Sequence, residues 1–127
     1  MDDTLAADNR AAAIELGKLL QEHRGGDVVV MDLRGLNTWT DFFVLATVTS
    51  RTHLQGLERH IKEFSQEKGI DILRKSPVPR GADDEWRLID LGALVIHLMT
   101  AKTRSFYELE RLWGAAAVVF CEEGKTC

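Results

Sequence analysis

The chain has 127 residues, 45% of them apolar and 28% charged, which suits one globular domain able to bury its own core. Its formal net charge of −4 argues against a non-specific nucleic-acid binder, because neutralising phosphates takes clustered Lys and Arg. The only cysteines, Cys121 and Cys127, lie near the C-terminus, so neither a disulfide framework nor a cysteine metal site is expected.

In chain order, residues 1–7 are short, acidic and expected to be frayed. Asp8 reads as the cap of a helix running to about His23, with Ala13, Leu16 and Leu20 on one stripe and Gly25-Gly26 as its stop. Asp27 to Leu33 is β-branched and nearly all apolar, hence a buried strand. Gly35 and Asn37 mark a loop, and Asp41 to Val48 is a second apolar strand with a carboxylate at its start. Thr52 and Gln55 fit a capping box for a helix to Lys68, where Leu54, Leu57, Ile61 and Phe64 recur at helical spacing. Arg51, Glu58, Arg59, Lys62 and Glu63 then read as a solvated face, and Gly69 closes the helix. Ile70 to Arg74 suggests a third strand, and Lys75 to Asp84 a polar loop stiffened by Pro77 and Pro79.

The stretch from Trp86 to Gly114 reads as two strands and a helix. In Glu85 to Leu91, alternation puts Trp86, Leu88 and Asp90 on one face and Ile89 and Leu91 on the other. The first face is either covered by another element or partly open as an apolar patch with an acidic rim, the kind of surface that marks a contact. Gly92 and Ala93 close a hairpin into Leu94 to Met99, apolar except for His97, which continues the Trp86 face if the strands pair normally. His97 is then either a hydrogen-bonded core residue or a contact residue. Ser105 and Glu108 match a capping box for a last helix with Phe106, Leu109, Leu112 and Trp113 inward, Arg104, Glu108 and Arg111 outward, and Gly114 as its stop. The structure of residues 115–127 is left open.

Strand pairs without helices between them imply antiparallel neighbours, while the middle helix favours one parallel pair. The fold class is α/β: a single domain over residues 8–114, with a mixed sheet of about five strands packed by helices. No nucleophile motif, phosphate loop or metal cage is present, and no cofactor is expected. No apolar run has membrane-spanning length, and the acidic N-terminus is unlike a leader, so a soluble, cytoplasmic protein is expected. The enzyme-class alternative is a small nucleotidyltransferase holding Mg²⁺ with Asp32, Asp41 and Asp90. A second alternative is a dimerisation module whose apolar patch meets its own copy.

Taken in order, DVVVMDLRGLNTWTDFFVLATVTSRTHLQGL, EWRLIDLGALVIHLM and RSFYELERLWG resemble the ribosomal silencing factor, or Iojap-like, family over about Leu16 to Gly114. The matching positions include Asp32 to Leu36, Asp41 to Phe43, Ser50, Arg51, Trp86, Asp90, Gly92, His97 and, in the last helix, Phe106, Glu110 and Trp113. Leu91 and Ala93 depart from the family pattern, which often has an aromatic and an acid there. The resemblance implies a nucleotidyltransferase-like fold without catalysis. It further implies a translation repressor that binds the large ribosomal subunit through ribosomal protein uL14 and blocks joining of the small subunit, commonly as a homodimer. An acidic chain suits a basic ribosomal protein. The expected contact residues are Trp86, Leu88, Asp90 and His97, followed by Asp41 and Glu110, with Trp86 as the anchor.

Overall fold

A computed structural model describes residues 2–35, 40–77, 86–107 and 117–121. Chain order is α1 (Asp2–Glu22), β1 (Gly26–Asp32), β2 (Phe42–Val48), α2 (Arg51–Lys68), β3 (Arg74–Pro77), β4 (Trp86–Asp90), β5 (Leu94–Thr100), α3 (Ala101–Tyr107) and β6 (Ala117–Cys121). The strands form one sheet in the order β3-β4-β5-β2-β1-β6. All neighbours are antiparallel except β2 and β5, which run parallel because α2, β3 and β4 intervene and return the chain in the same direction. This is the expected mixed α/β sheet, extended by β6, a strand formed from the segment that the sequence left open.

Helix ends are set by local hydrogen bonds more than by the best-looking cap residue. The first helix begins at Asp2, so residues 2–7 are helical rather than frayed and Asp8 lies inside the helix instead of capping it. Its end is a Schellman motif: Gly25 N–H donates to Leu20 C=O (2.7 Å) and Arg24 N–H to Gln21 C=O (3.1 Å). Arg24, not a glycine, occupies the left-handed position (φ 70°). Gly25 is required for closeness, since a Cβ there would stand 2.8 Å from the Leu20 carbonyl oxygen. The cap of α2 is Ser50, whose Oγ accepts from His53 N–H at 3.0 Å, and Thr52 falls within the first turn. Ser50→Ala is therefore expected to cost about 1 kcal/mol in urea unfolding, with Thr52→Ala near neutral. Gly69 ends α2 as expected, in the left-handed region with φ 71°.

Two further boundaries move. The third strand is Arg74–Pro77, not Ile70–Arg74, so Pro77 sits in a strand. It can do so because β3 is an edge, where one side of the backbone needs no ladder partner. The last helix begins at Ala101, four residues before the expected Ser105 cap, because Thr100 Oγ1 accepts from Thr103 N–H at 3.3 Å. Starting earlier turns Arg104 inward. Expected to face water, it is buried, and its guanidinium donates to Thr47 Oγ1 at 3.0 Å. The expected Leu109, Leu112 and Trp113 stripe and the Gly114 stop lie outside the described residues.

Both sheet faces are apolar, which is why β2 and β5 read as near-continuous hydrophobic runs. One face carries Val28, Val30, Phe42, Val44, Ala46, Ile89, Ile96 and Leu98 against Leu16 and Leu20 of α1 and Leu54, Leu57 and Ile61 of α2. The other carries Met31, Leu33, Phe43, Leu45, Trp86, Val95 and Met99. Among the described residues no helix is long and apolar enough to cross a membrane.

Candidate contact surface

Antiparallel pairing of β4 with β5 sets Trp86 opposite Met99, Leu88 opposite His97 and Asp90 opposite Val95. Paired positions share a face, so the expected set of Trp86, Leu88, Asp90 and His97 does come together. Parallel pairing continues that face onto β2, where Phe43 stands opposite Val95 and Leu45 opposite His97.

His97 lies at the centre. Trp86 Nε1–H donates to its Nδ1 at 3.1 Å, diagonally across the ladder, and the Phe43 ring meets it edge-on at 4.6 Å. Because Nδ1 accepts, the neutral ring carries its proton on Nε2, and that nitrogen has no hydrogen-bond partner among the described residues. Burial pushes the imidazole pKa down to about 4, so His97 is neutral at physiological pH.

Exposure divides the expected residues. Trp86 is only 7% exposed and His97 only 4%, so the indole is a member of the core and not an open anchor. The apolar cluster around it supplies the reason: Met31, Val95 and Met99 share its face, and its one polar atom is satisfied by His97. Leu88, Asp90 and Asp41 are half-buried, and Glu110 lies outside the described residues. Asp90 Oδ1 accepts from Gly92 N–H at 2.8 Å, holding a turn in which Gly92 has φ 90°, so this acid shapes the hairpin as well as its rim. Asp41 N–H donates to Ala93 C=O at 3.0 Å, which places Asp41 at the same end of the sheet. Ala93 is half-buried between these two carboxylate-bearing segments.

One neighbour was missed. Leu73 is 66% exposed, donates its N–H to Asp90 C=O at 2.8 Å, and approaches Gly92. The sequence places it within a strand; the signal that could have found it is an apolar residue directly before an edge strand protected by Arg, Lys and Pro.

The strand acids are not assembled for metal chemistry. Asp32 shares the helix-covered face with Val28 and Val30, Asp90 lies on the other, and β2 and β5 separate their strands. Three strand spacings are about 14 Å, against the few ångströms between oxygens on one divalent cation. Asp32 is instead held by Arg34, with Nε on Oδ1 at 2.9 Å and Nη2 on Oδ2 at 2.7 Å, and this hydrogen bonding keeps its carboxyl below the usual range. Among the described residues no group of three or more His, Cys, Asp or Glu could hold a metal ion.

Comparison with known proteins bears on the family and the fold. The profile of the family described as "Ribosomal silencing factor during starvation" matches residues 6–126. The ribosomal silencing factor RsfS of Treponema pallidum is 36% identical over 111 residues, covering 86% of this chain and 94% of that protein. Its counterpart in Bacillus subtilis is 32% identical, covering 81% and 85%. The chloroplastic protein Iojap of Arabidopsis thaliana is 32% identical over 87% of this chain, which spans only 44% of that protein's length. A solved structure from Chromobacterium violaceum superposes with a TM-score of 0.70 at 28% identity, covering 85% of each chain.

Proposed function

This chain belongs to the ribosomal silencing factor family, and from that membership we propose that it represses translation by docking on the large ribosomal subunit, through ribosomal protein uL14, so that the small subunit cannot join. The family is named for silencing ribosomes and not for catalysis, and a mouse relative, 35% identical over 77% of this chain, is named for mitochondrial assembly of the ribosomal large subunit. The observation that carries the docking surface is half-buried Leu88, opposite His97 on the ladder and on the same face as the half-buried acid Asp90, with half-buried Asp41 at the hairpin end of the sheet.

On this reading Leu88 and exposed Leu73 supply the apolar contact, and Asp41 and Asp90 meet cationic groups of the partner. Glu110, outside the described residues, is proposed as a further acidic contact. Trp86 and His97 act beneath, as a rigid floor. Steric exclusion needs shape and area, not a reacting group. Homodimerisation through an apolar surface belongs to the same proposal, and exchange of a second copy for the ribosome would use one surface twice.

Co-sedimentation with purified large subunits is the test. Loss of a contact anchor is worth about 2 kcal/mol, so Leu88→Asp is expected to weaken binding roughly thirty-fold. A folded Leu88→Asp protein that sediments like the parent would remove this surface from the proposal. Leu73→Asp, at an exposed position, provides the same test without a folding cost.

A further inference from the structure

The negative net charge conceals an uneven distribution around α2. At about 100° per residue, Arg51, Gln55, Arg59, Lys62 and Gln66 fall within about 80° of one another, and all five are exposed. Glu63 and Glu67 lie farther round, toward His60, whose ring stacks on His23 of α1 at 3.5 Å. On the basic side, α2 meets β4 through the ion pair of Glu58 with Arg87 (3.1 Å), and a shallow hollow there is lined by Gln55, Glu58, Arg59, Lys62 and Arg87. The carboxylate of Glu58 is therefore turned to Arg87, while Arg59 and Lys62 reach into solvent.

We infer that this flank of α2 lies along the phosphodiester backbone of ribosomal RNA when the protein is bound to the large subunit; the inference rests on the docking proposed above. Three features select RNA backbone over a protein surface. The flank carries no apolar or aromatic side chain, whereas protein interfaces are built around such anchors. Its residues are cations interleaved with glutamines, the side chains that bond phosphate and sugar oxygens. Arg51 to Lys62 spans about 16 Å of helix axis, long enough to follow several consecutive phosphates. Without an aromatic to stack on bases, the contact reads charge and not sequence. A patch of this size adds to a docked complex and fits with a chain whose net charge disfavours free nucleic acid.

The test uses the whole chain and purified large subunits across a salt series. Arg59→Glu with Lys62→Glu is expected to melt like the parent, to bind about tenfold or more weakly at low salt, and to flatten the slope of log affinity against log salt by about two. Parent and variant binding equally, with equal slopes, would overturn the inference while leaving the docking intact. A parent that fails to bind would remove the docking and this inference together. With p-benzoylphenylalanine in place of Gln55, ultraviolet crosslinking on the subunit is expected to yield an RNA adduct; adducts with ribosomal protein alone would show that the flank meets an acidic protein instead and would overturn the assignment.

Discussion

Trp86→Ala is expected to destabilise the fold by about 3–5 kcal/mol, enough to remove much of the stability of a domain this size. The side chain is almost wholly buried in an apolar cluster, with Met99 opposite it on β5, and truncation leaves a cavity there. Truncation also removes the donor to His97 Nδ1, so an imidazole with both nitrogens unpaired among the described residues is left in the core. Urea unfolding of the parent, Trp86→Ala and Trp86→Phe separates the two losses. Phenylalanine restores most of the volume without the N–H, and should recover more than half of the lost stability. If Trp86→Ala unfolds at the parent's urea midpoint, the indole is not part of the core, and the exposed-anchor reading of Trp86 returns.

Acid is expected to weaken the fold through His97, by an amount of order 3 kcal/mol. Its folded pKa is about 4, below the ordinary 6.5, because burial disfavours the charged ring. Above pH 6.5 the ring is neutral in both states and the native packing is undisturbed. Between pH 6.5 and 4 the unfolded chain takes up a proton that the folded chain refuses, so stability falls as pH falls across that window. Protonation of Nδ1 also ends its role as acceptor for Trp86. Unfolding free energies measured every half unit from pH 7.5 to 4.5 should show this slope in the parent and a smaller one in His97→Gln. Parallel curves for the two proteins would mean that His97 does not titrate between the states. The other three histidines are common to both and cancel in the comparison.

The two predictions concern a pair of residues that sequence reasoning singled out for a different reason. Alternation along β4 and β5 correctly joined Trp86, Leu88, Asp90 and His97 on one face, because a period of two leaves no other choice once the Gly92–Ala93 hairpin is in place. What alternation could not show was depth. Whether an indole at such a position is open or covered depends on strands distant in the chain, and here β1 and β2 add Met31, Phe43 and Leu45 to the apolar cluster it belongs to. The same limit explains Arg104. It was expected to face water, but the phase of α3 depends on which threonine or serine wins the first turn, and Thr100 wins over Ser105.

While the structure identified β2 and β5 as the parallel pair, residue pattern alone was enough for the α/β class, for one parallel pair in a mixed sheet, for the buried stripes of α1 and α2, and for the family resemblance. These follow from local periodicity and from the length of the connections, both of which are written in chain order. Assembly in three dimensions was needed to bury Trp86 against His97, to expose Leu73 beside the hairpin turn, to separate Asp32 from Asp90 across four strands, and to gather the cations of α2 next to Arg87. Those outcomes turn on what lies above a face and how far apart two strands end up, quantities that arise only when segments remote in sequence share one sheet.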